Sequence, residues 1–103
     1  MSKAKAKGAR IEREIRDRHL ALGIPAEKMP LSGALGGEWS GDLRVAGMKA
    51  EVKARARGAG FTTLEKWLGS NDLLFLRKDR SDPMVVLSWD AWSKLIVSAK
   101  SLG

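Results

Sequence analysis

Residues 41–53 decide the fold, and they read Gly41-Asp42-Leu43-Arg44-Val45-Ala46-Gly47-Met48-Lys49-Ala50-Glu51-Val52-Lys53. Charged and apolar side chains alternate along almost all of this stretch, and a period of two is typical of β-strands. A two-residue turn at Ala46 and Gly47 would divide the stretch into two antiparallel strands. The stretch therefore predicts a β-hairpin.

The predicted hairpin separates apolar from charged side chains. Its apolar face would carry Leu43, Val45, Met48, Ala50 and Val52. Counting back from the turn sets Asp42 opposite Glu51, with their Cβ atoms about 5 Å apart, and Lys53 follows on the same face. Two carboxylates at that separation repel each other unless a proton or a cation lies between them. The hairpin thus predicts a divalent-metal site, and the alternative is a charged face that only meets water.

Length and charge limit the possible classes of protein. The 103 residues predict one small domain, and 19 Lys and Arg against 12 Asp and Glu give a net charge of +7. This excess favours a polyanionic partner such as nucleic acid, although a basic ribosomal or membrane-surface protein would also fit. No apolar run approaches the roughly 18 residues of a membrane span, so we expect a cytoplasmic protein.

The shortage of soft metal ligands restricts the kind of metal. The chain has no cysteine and one histidine, His19, which we expect to face solvent or the flank of its helix. A metal would therefore bind through oxygen atoms, which indicates Mg²⁺, with Mn²⁺ as a possible substitute.

Periodicity and turn residues predict the remaining elements of the first half. Residues 1–7 are predicted to be a flexible basic arm, and residues 8–103 the folded domain. A helix is expected from about Ala9 to Leu22, followed by a weak edge strand between Ala26 and Leu31. Residues 32–41 contain four glycines and predict a mobile loop before the hairpin.

The second half is predicted to contain two helices and two strands. Thr62 and Glu65 form a capping box for a short helix that ends near Gly69. Residues 73–76 and 84–87 are apolar strands expected in or near the interior, and Ser88 can cap a last helix. The order αβββαββα predicts an α/β domain with a mixed central β-sheet flanked by helices.

The hairpin side chains suit phosphodiester hydrolysis. Asp42 and Glu51 would bind the metal directly, and the backbone carbonyl of Val52 would complete the inner shell with waters. Lys53 would orient or help to deprotonate the attacking water, or offset charge in the transition state. Glu12, at the edge of the first helix's apolar face, could hold a second metal or a water.

A role for Glu12 in the metal site has two alternatives. It could simply form a surface ion pair with Arg16 four residues on, and Glu14 competes with it for a role in the site.

Further basic and loop residues are candidates for DNA contacts. We expect Arg44, Lys49, Arg55 and Arg57 to bind phosphates, and the alternative is a solvated basic surface. Ser32, in the glycine-rich loop, is predicted to contact the substrate.

Taken together, these motifs resemble the PD-(D/E)XK nuclease superfamily, and most closely the archaeal and phage Holliday-junction resolvases. The segment Lys7-Gly8-Ala9-Arg10-Ile11-Glu12 resembles the family's opening helix motif, and this favours Glu12 over Glu14. Gly41-Asp42 stands where the superfamily name has Pro-Asp, and Glu51-Val52-Lys53 fits the E-X-K element.

The resemblance implies a restriction-endonuclease-like fold and a Mg²⁺-dependent endonuclease. In that family's pattern Asp42 and Glu51 bind metal, Lys53 is catalytic and Glu12 assists. Resolution of a four-way DNA junction implies a homodimer, since one small site cuts one strand. Two alternatives remain: a non-catalytic basic nucleic-acid-binding module, and a monomeric nicking or repair nuclease.

Overall fold

The computed structural model describes residues 3–30 and 41–102, with side chains from residue 7 onward. Over these ranges the order of elements is αβββαββα, as predicted. The elements are α1 (Lys3–Ala21), β1 (Ala26–Lys28), β2 (Leu43–Val45), β3 (Met48–Ala50), α2 (Thr62–Leu68), β4 (Leu73–Leu76), β5 (Met84–Leu87) and α3 (Trp89–Leu102). The chain divides into two compact units, residues 1–54 and 55–103.

The first unit packs α1 against a three-stranded antiparallel sheet with the order β1-β2-β3. The edge position predicted for β1 is confirmed. The core of the first unit is formed by the buried side chains of Ile24, Met29, Leu43 and Val45.

His19 completes this core, with only 3% of its surface exposed, so the expectation that it faces solvent is wrong. Its Nδ1 lies 2.7 Å from the carbonyl oxygen of Ile15, one turn earlier in α1. A buried polar group is tolerated when it is hydrogen-bonded, and here the helix itself supplies the partner.

Helix α1 begins at Lys3, so the predicted start at about Ala9 is wrong. The segment expected to be a flexible arm alternates lysine and alanine, which are both good helix formers. A glycine inside a helix costs only about 1 kcal/mol relative to alanine, and Gly8 therefore does not end the helix.

The hairpin has the predicted register, with Val45 paired to Met48 across the turn. Ala46 and Gly47 have φ angles of 49° and 80°, and a two-residue turn with positive φ at both positions matches the twist of the strands. The amide of Ala46 also donates to the carbonyl of Pro25 at 2.8 Å, which fixes the turn against the segment before β1. Met48 is exposed, contrary to the expectation that it shares the buried face.

The second unit packs α2 and α3 against the antiparallel pair β4 and β5, whose bounds match the prediction. The side chain of Ser88 accepts a hydrogen bond from the amide of Ala91, which confirms its role as a cap. The capping box at Thr62 is wrong, because the hydroxyl of Thr62 donates to the carbonyl of Gly58 instead.

The strands of the second unit are less buried than expected. Phe75 is 65% exposed, and the large apolar side chains of Leu73, Met84 and Val85 on the same two strands are exposed as well. A two-stranded sheet has two faces and few elements to cover them, so an apolar sequence alone does not place a strand in an interior.

The described residues do not form the predicted mixed central sheet. Their strands make two small sheets, and every pairing is antiparallel. Parallel neighbours need a crossover of a dozen or more residues, whereas β2–β3 and β4–β5 are joined by two and seven residues.

No described helix is long and apolar enough to cross a membrane.

Candidate metal centre

The acidic pair lies where the two strands of the first hairpin end. The ladder ends at the pair Leu43–Ala50, and the amide of Asp42 donates to the carbonyl of Ala50 instead of continuing the register to Glu51. Glu51 follows Ala50 directly, and its carboxyl group lies beside that of Asp42. The chain enters β2 through Gly41, whose φ is +88°. Proline is fixed near −65°, so the Pro-Asp form of the motif cannot occur with this backbone.

Backbone hydrogen bonds hold Asp42 on both sides. Its amide donates to the carbonyl of Ala50 at 2.8 Å. Its carboxylate oxygen Oδ2 accepts a hydrogen bond from the amide of Val52, also at 2.8 Å. The carboxylate is therefore oriented by the opposite strand, next to Glu51.

The carboxyl groups of Asp42 and Glu51 are close enough to share a hydrogen bond, and this contact raises the pKa of Glu51 above 4.5. The negative charge of Asp42 is the next cause, and the charge of Glu12 adds a smaller increase. Lys53 acts in the opposite direction and lowers the pKa. A cation bound between the two carboxylates would offset their repulsion and favour their ionised forms.

Alternation continues past the end of β3 and separates the two kinds of side chain. Glu51 and Lys53 are exposed, whereas Val52 between them is partly buried. This pattern of exposure is the one expected if the two charged groups share the outer face.

Glu12, on α1, contacts β1, the strand that pairs with β2. Its side chain is only 13% exposed, and its Oε2 lies 3.7 Å from Nζ of Lys28 on β1. The predicted pair with Arg16 is not formed, because Arg16 instead contacts Asp17 at 3.0 Å.

Glu14, the competing carboxylate, is about half exposed and lies 3.9 Å from Arg18. Of the two acidic candidates on α1, only Glu12 contributes to the electrostatic environment of Glu51.

The predicted DNA-binding residues fall into three groups. Arg44 and Lys49 are directly opposite each other on the hairpin, in the same alternation as the acidic pair. Arg55 and Arg57 are exposed and belong to the second unit. Ser32 lies outside the described residues, as does nearly all of the predicted glycine-rich loop.

Lys28 is the charged neighbour that sequence reasoning missed. It lies on a three-residue edge strand, and Pro25 and Pro30 on either side leave too short a pattern to set a register. The structure pairs Lys28 with Leu43, the residue after Asp42.

Oxygen atoms from the hairpin suit a hard cation. In the described part of the chain, no three acidic or histidine side chains are grouped closely enough to hold a metal by themselves. A centre built on Asp42 and Glu51 would therefore need the Val52 carbonyl and waters to complete its shell. Such partial coordination by protein is usual for Mg²⁺, which keeps several waters.

Comparison with known proteins assigns no family: no family model, curated protein or solved structure matches the chain.

Proposed function

We propose that the chain is a Mg²⁺-dependent structure-specific DNA endonuclease of the PD-(D/E)XK type, acting as a dimeric Holliday-junction resolvase. The observation that supports this most strongly is the pair of adjacent carboxyl groups of Asp42 and Glu51, on which the charges of Lys53 and Glu12 both act. The element order αβββαββα is the order that the resemblance implies, although the described strands form two antiparallel sheets and not one mixed sheet.

The proposed chemistry divides between the metal and the protein. Mg²⁺ held by Asp42, Glu51 and the Val52 carbonyl would make a bound water more acidic and offset charge on the phosphate. Lys53 orients the attacking water or stabilises negative charge as one P–O ester bond breaks. The Val52 amide keeps the Asp42 carboxylate in place through its hydrogen bond to Oδ2.

The basic residues of the hairpin would position the DNA. Arg44 and Lys49 project from neighbouring strands, and their charges would bind phosphates without reading sequence. A junction has two strands to cut, so two copies of the site related by a two-fold axis would be needed.

Asp42→Asn tests the role of the metal centre with little change to the fold. Asparagine can keep an oxygen that accepts from the Val52 amide, but it removes the charge that a cation needs. We expect junction binding to persist while cleavage falls about a thousand-fold, which corresponds to a loss of roughly 4 kcal/mol of transition-state stabilisation. Asp79→Asn, in the exposed turn between β4 and β5, makes the same chemical change away from the centre and serves as the control.

The assay compares a four-way junction with a linear duplex in Mg²⁺ and maps both product strands. Paired nicks placed symmetrically across the junction support a dimeric resolvase, and sedimentation of the free protein distinguishes it from a monomeric nicking enzyme. Failure of the wild-type protein to cut branched DNA in Mg²⁺ or Mn²⁺ would overturn the proposal.

A non-catalytic nucleic-acid-binding module is the competing function, supported by the net charge of +7. In that case Asp42→Asn and Glu51→Gln would leave every activity intact. Neutralising Arg55 and Arg57 would weaken binding and reduce its dependence on salt.

A further inference from the structure

One oxygen of Glu12 is buried without a hydrogen bond. Among the described residues, Oε2 of Glu12 has no hydrogen-bond partner although solvent does not reach it. Native proteins rarely leave a buried carboxylate oxygen in this state, because the group loses its hydration and gains nothing in return. Such an oxygen marks a place where a further ligand, such as a cation or a water, would bind favourably.

Lys28 faces this oxygen but does not bond to it. The distance of 3.7 Å from Nζ to Oε2 is that of an ion pair and is too long for a hydrogen bond. The Lys28 side chain is 43% exposed, so its ammonium group also meets solvent. Lys28 thus partly neutralises the negative charge of Glu12 but leaves Oε2 without a hydrogen bond.

The strand that carries Lys28 is bonded directly to the backbone of the metal centre. Lys28 pairs with Leu43, and the amide of Met29 donates to the carbonyl of Asp42 at 3.0 Å. Glu12 in turn acts electrostatically on Glu51. Lys28 is therefore connected to the acidic pair through β1 and through Glu12.

We propose that Lys28 is a positioning residue, which holds the Glu12 carboxylate in place so that Oε2 can bind a water of the metal held by the acidic pair. This inference rests on the metal centre of the proposed function. It assigns to Lys28 the role that outer-shell partners have at other metal sites, where they orient a ligand without touching the metal.

Two other roles for Lys28 predict different results. If Lys28 only repels the metal ion, removing its positive charge would make the metal bind more tightly. A lysine that only contacts phosphate would affect DNA binding and leave metal affinity unchanged.

The test measures Mn²⁺ binding to the DNA-free protein by electron paramagnetic resonance or calorimetry. We expect K28M to weaken Mn²⁺ binding about tenfold or more, K28R to retain most of it, and E12Q to weaken it to a similar extent. Because Lys28 acts through Glu12, the double variant K28M/E12Q should bind no more weakly than E12Q. K78M removes a lysine from the exposed turn between β4 and β5 and should bind as the wild type does.

Thermal unfolding of each variant separates positioning from general loss of structure, and K28Q replaces K28M if the latter does not fold. Tighter or unchanged Mn²⁺ binding in K28M would overturn the role of Lys28. So would a double variant that binds Mn²⁺ more weakly than E12Q does. Such a result in a protein that still cuts junctions would leave the nuclease proposal intact. Conversely, the protein could cut no DNA and still bind Mn²⁺ in the way that depends on Lys28 and Glu12 together. That result would refute the nuclease proposal and support the role of Lys28.

Discussion

Gly41→Ala is predicted to destabilise the hairpin more than the same change at Gly47 does. Gly41 has a φ of +88°, and a Cβ added there would lie 2.9 Å from the carbonyl oxygen of Ala50. That oxygen already accepts the amide of Asp42 at 2.8 Å. The added methyl group therefore meets backbone that is held in place by a hydrogen bond.

Two costs add up at this position. A side chain in the left-handed region costs about 1–2 kcal/mol. Moving the Ala50 carbonyl away would weaken one hydrogen bond, at a cost of about 1 kcal/mol. We expect a total loss of roughly 2–3 kcal/mol in the free energy of unfolding, out of the 5–15 kcal/mol that is usual for a domain.

Gly47→Ala is the matched control. Its φ of +80° is similar, but a Cβ there would meet nothing within 4 Å, so only the conformational cost remains. Urea unfolding of both variants should show Gly41→Ala about 1 kcal/mol less stable than Gly47→Ala, with a melting temperature lower by roughly 5 °C. Gly41→Pro should be worse still, because proline cannot adopt a positive φ.

Metal binding supplies a second measurement on the same variants. Asp42 follows Gly41 directly, so a shift of this backbone moves the carboxylate, whereas the turn at Gly47 lies at the other end of the strands. Mn²⁺ affinity should therefore fall in folded Gly41→Ala and stay unchanged in Gly47→Ala. Equal stability of the two variants would refute the argument that contact with Ala50 constrains this position.

Two further predictions follow from α1 and from Glu51. Gly8→Ala should stabilise the protein by about 0.5–1 kcal/mol, because Gly8 lies inside α1 and an added Cβ meets nothing within 4 Å; a lower melting temperature in this variant would contradict the helical assignment. The raised pKa of Glu51 means that the metal-free folded state holds this proton more tightly than the unfolded state. Its contribution to stability is thus fully present below about pH 4.5 and is lost as the pH rises through the raised pKa, a dependence that Glu51→Gln should remove in urea titrations without metal. Mg²⁺ should bind more tightly as the pH rises through the same range and release a proton, which calorimetry in buffers of different ionisation enthalpy detects.

The sequence alone determined the features that depend on short-range periodicity. Alternation and the Ala46-Gly47 turn set the register of the first hairpin from Leu43 to Ala50, and this register brings Asp42 and Glu51 to the same end of the two strands. Apolar runs likewise gave the bounds of β4 and β5. Local backbone geometry controls these features, so nearby residues are enough to predict them.

Tertiary structure decided which charged and polar groups meet across elements. The pairing of Glu12 with Lys28 depends on how α1 packs against β1, and the burial of His19 depends on the same packing. The positive φ of Gly41 depends on how the chain enters β2 beside Ala50. Contacts between distant segments depend on packing that local periodicity does not specify, so the sequence predicted the acidic pair while only the folded chain revealed the lysine beside Glu12.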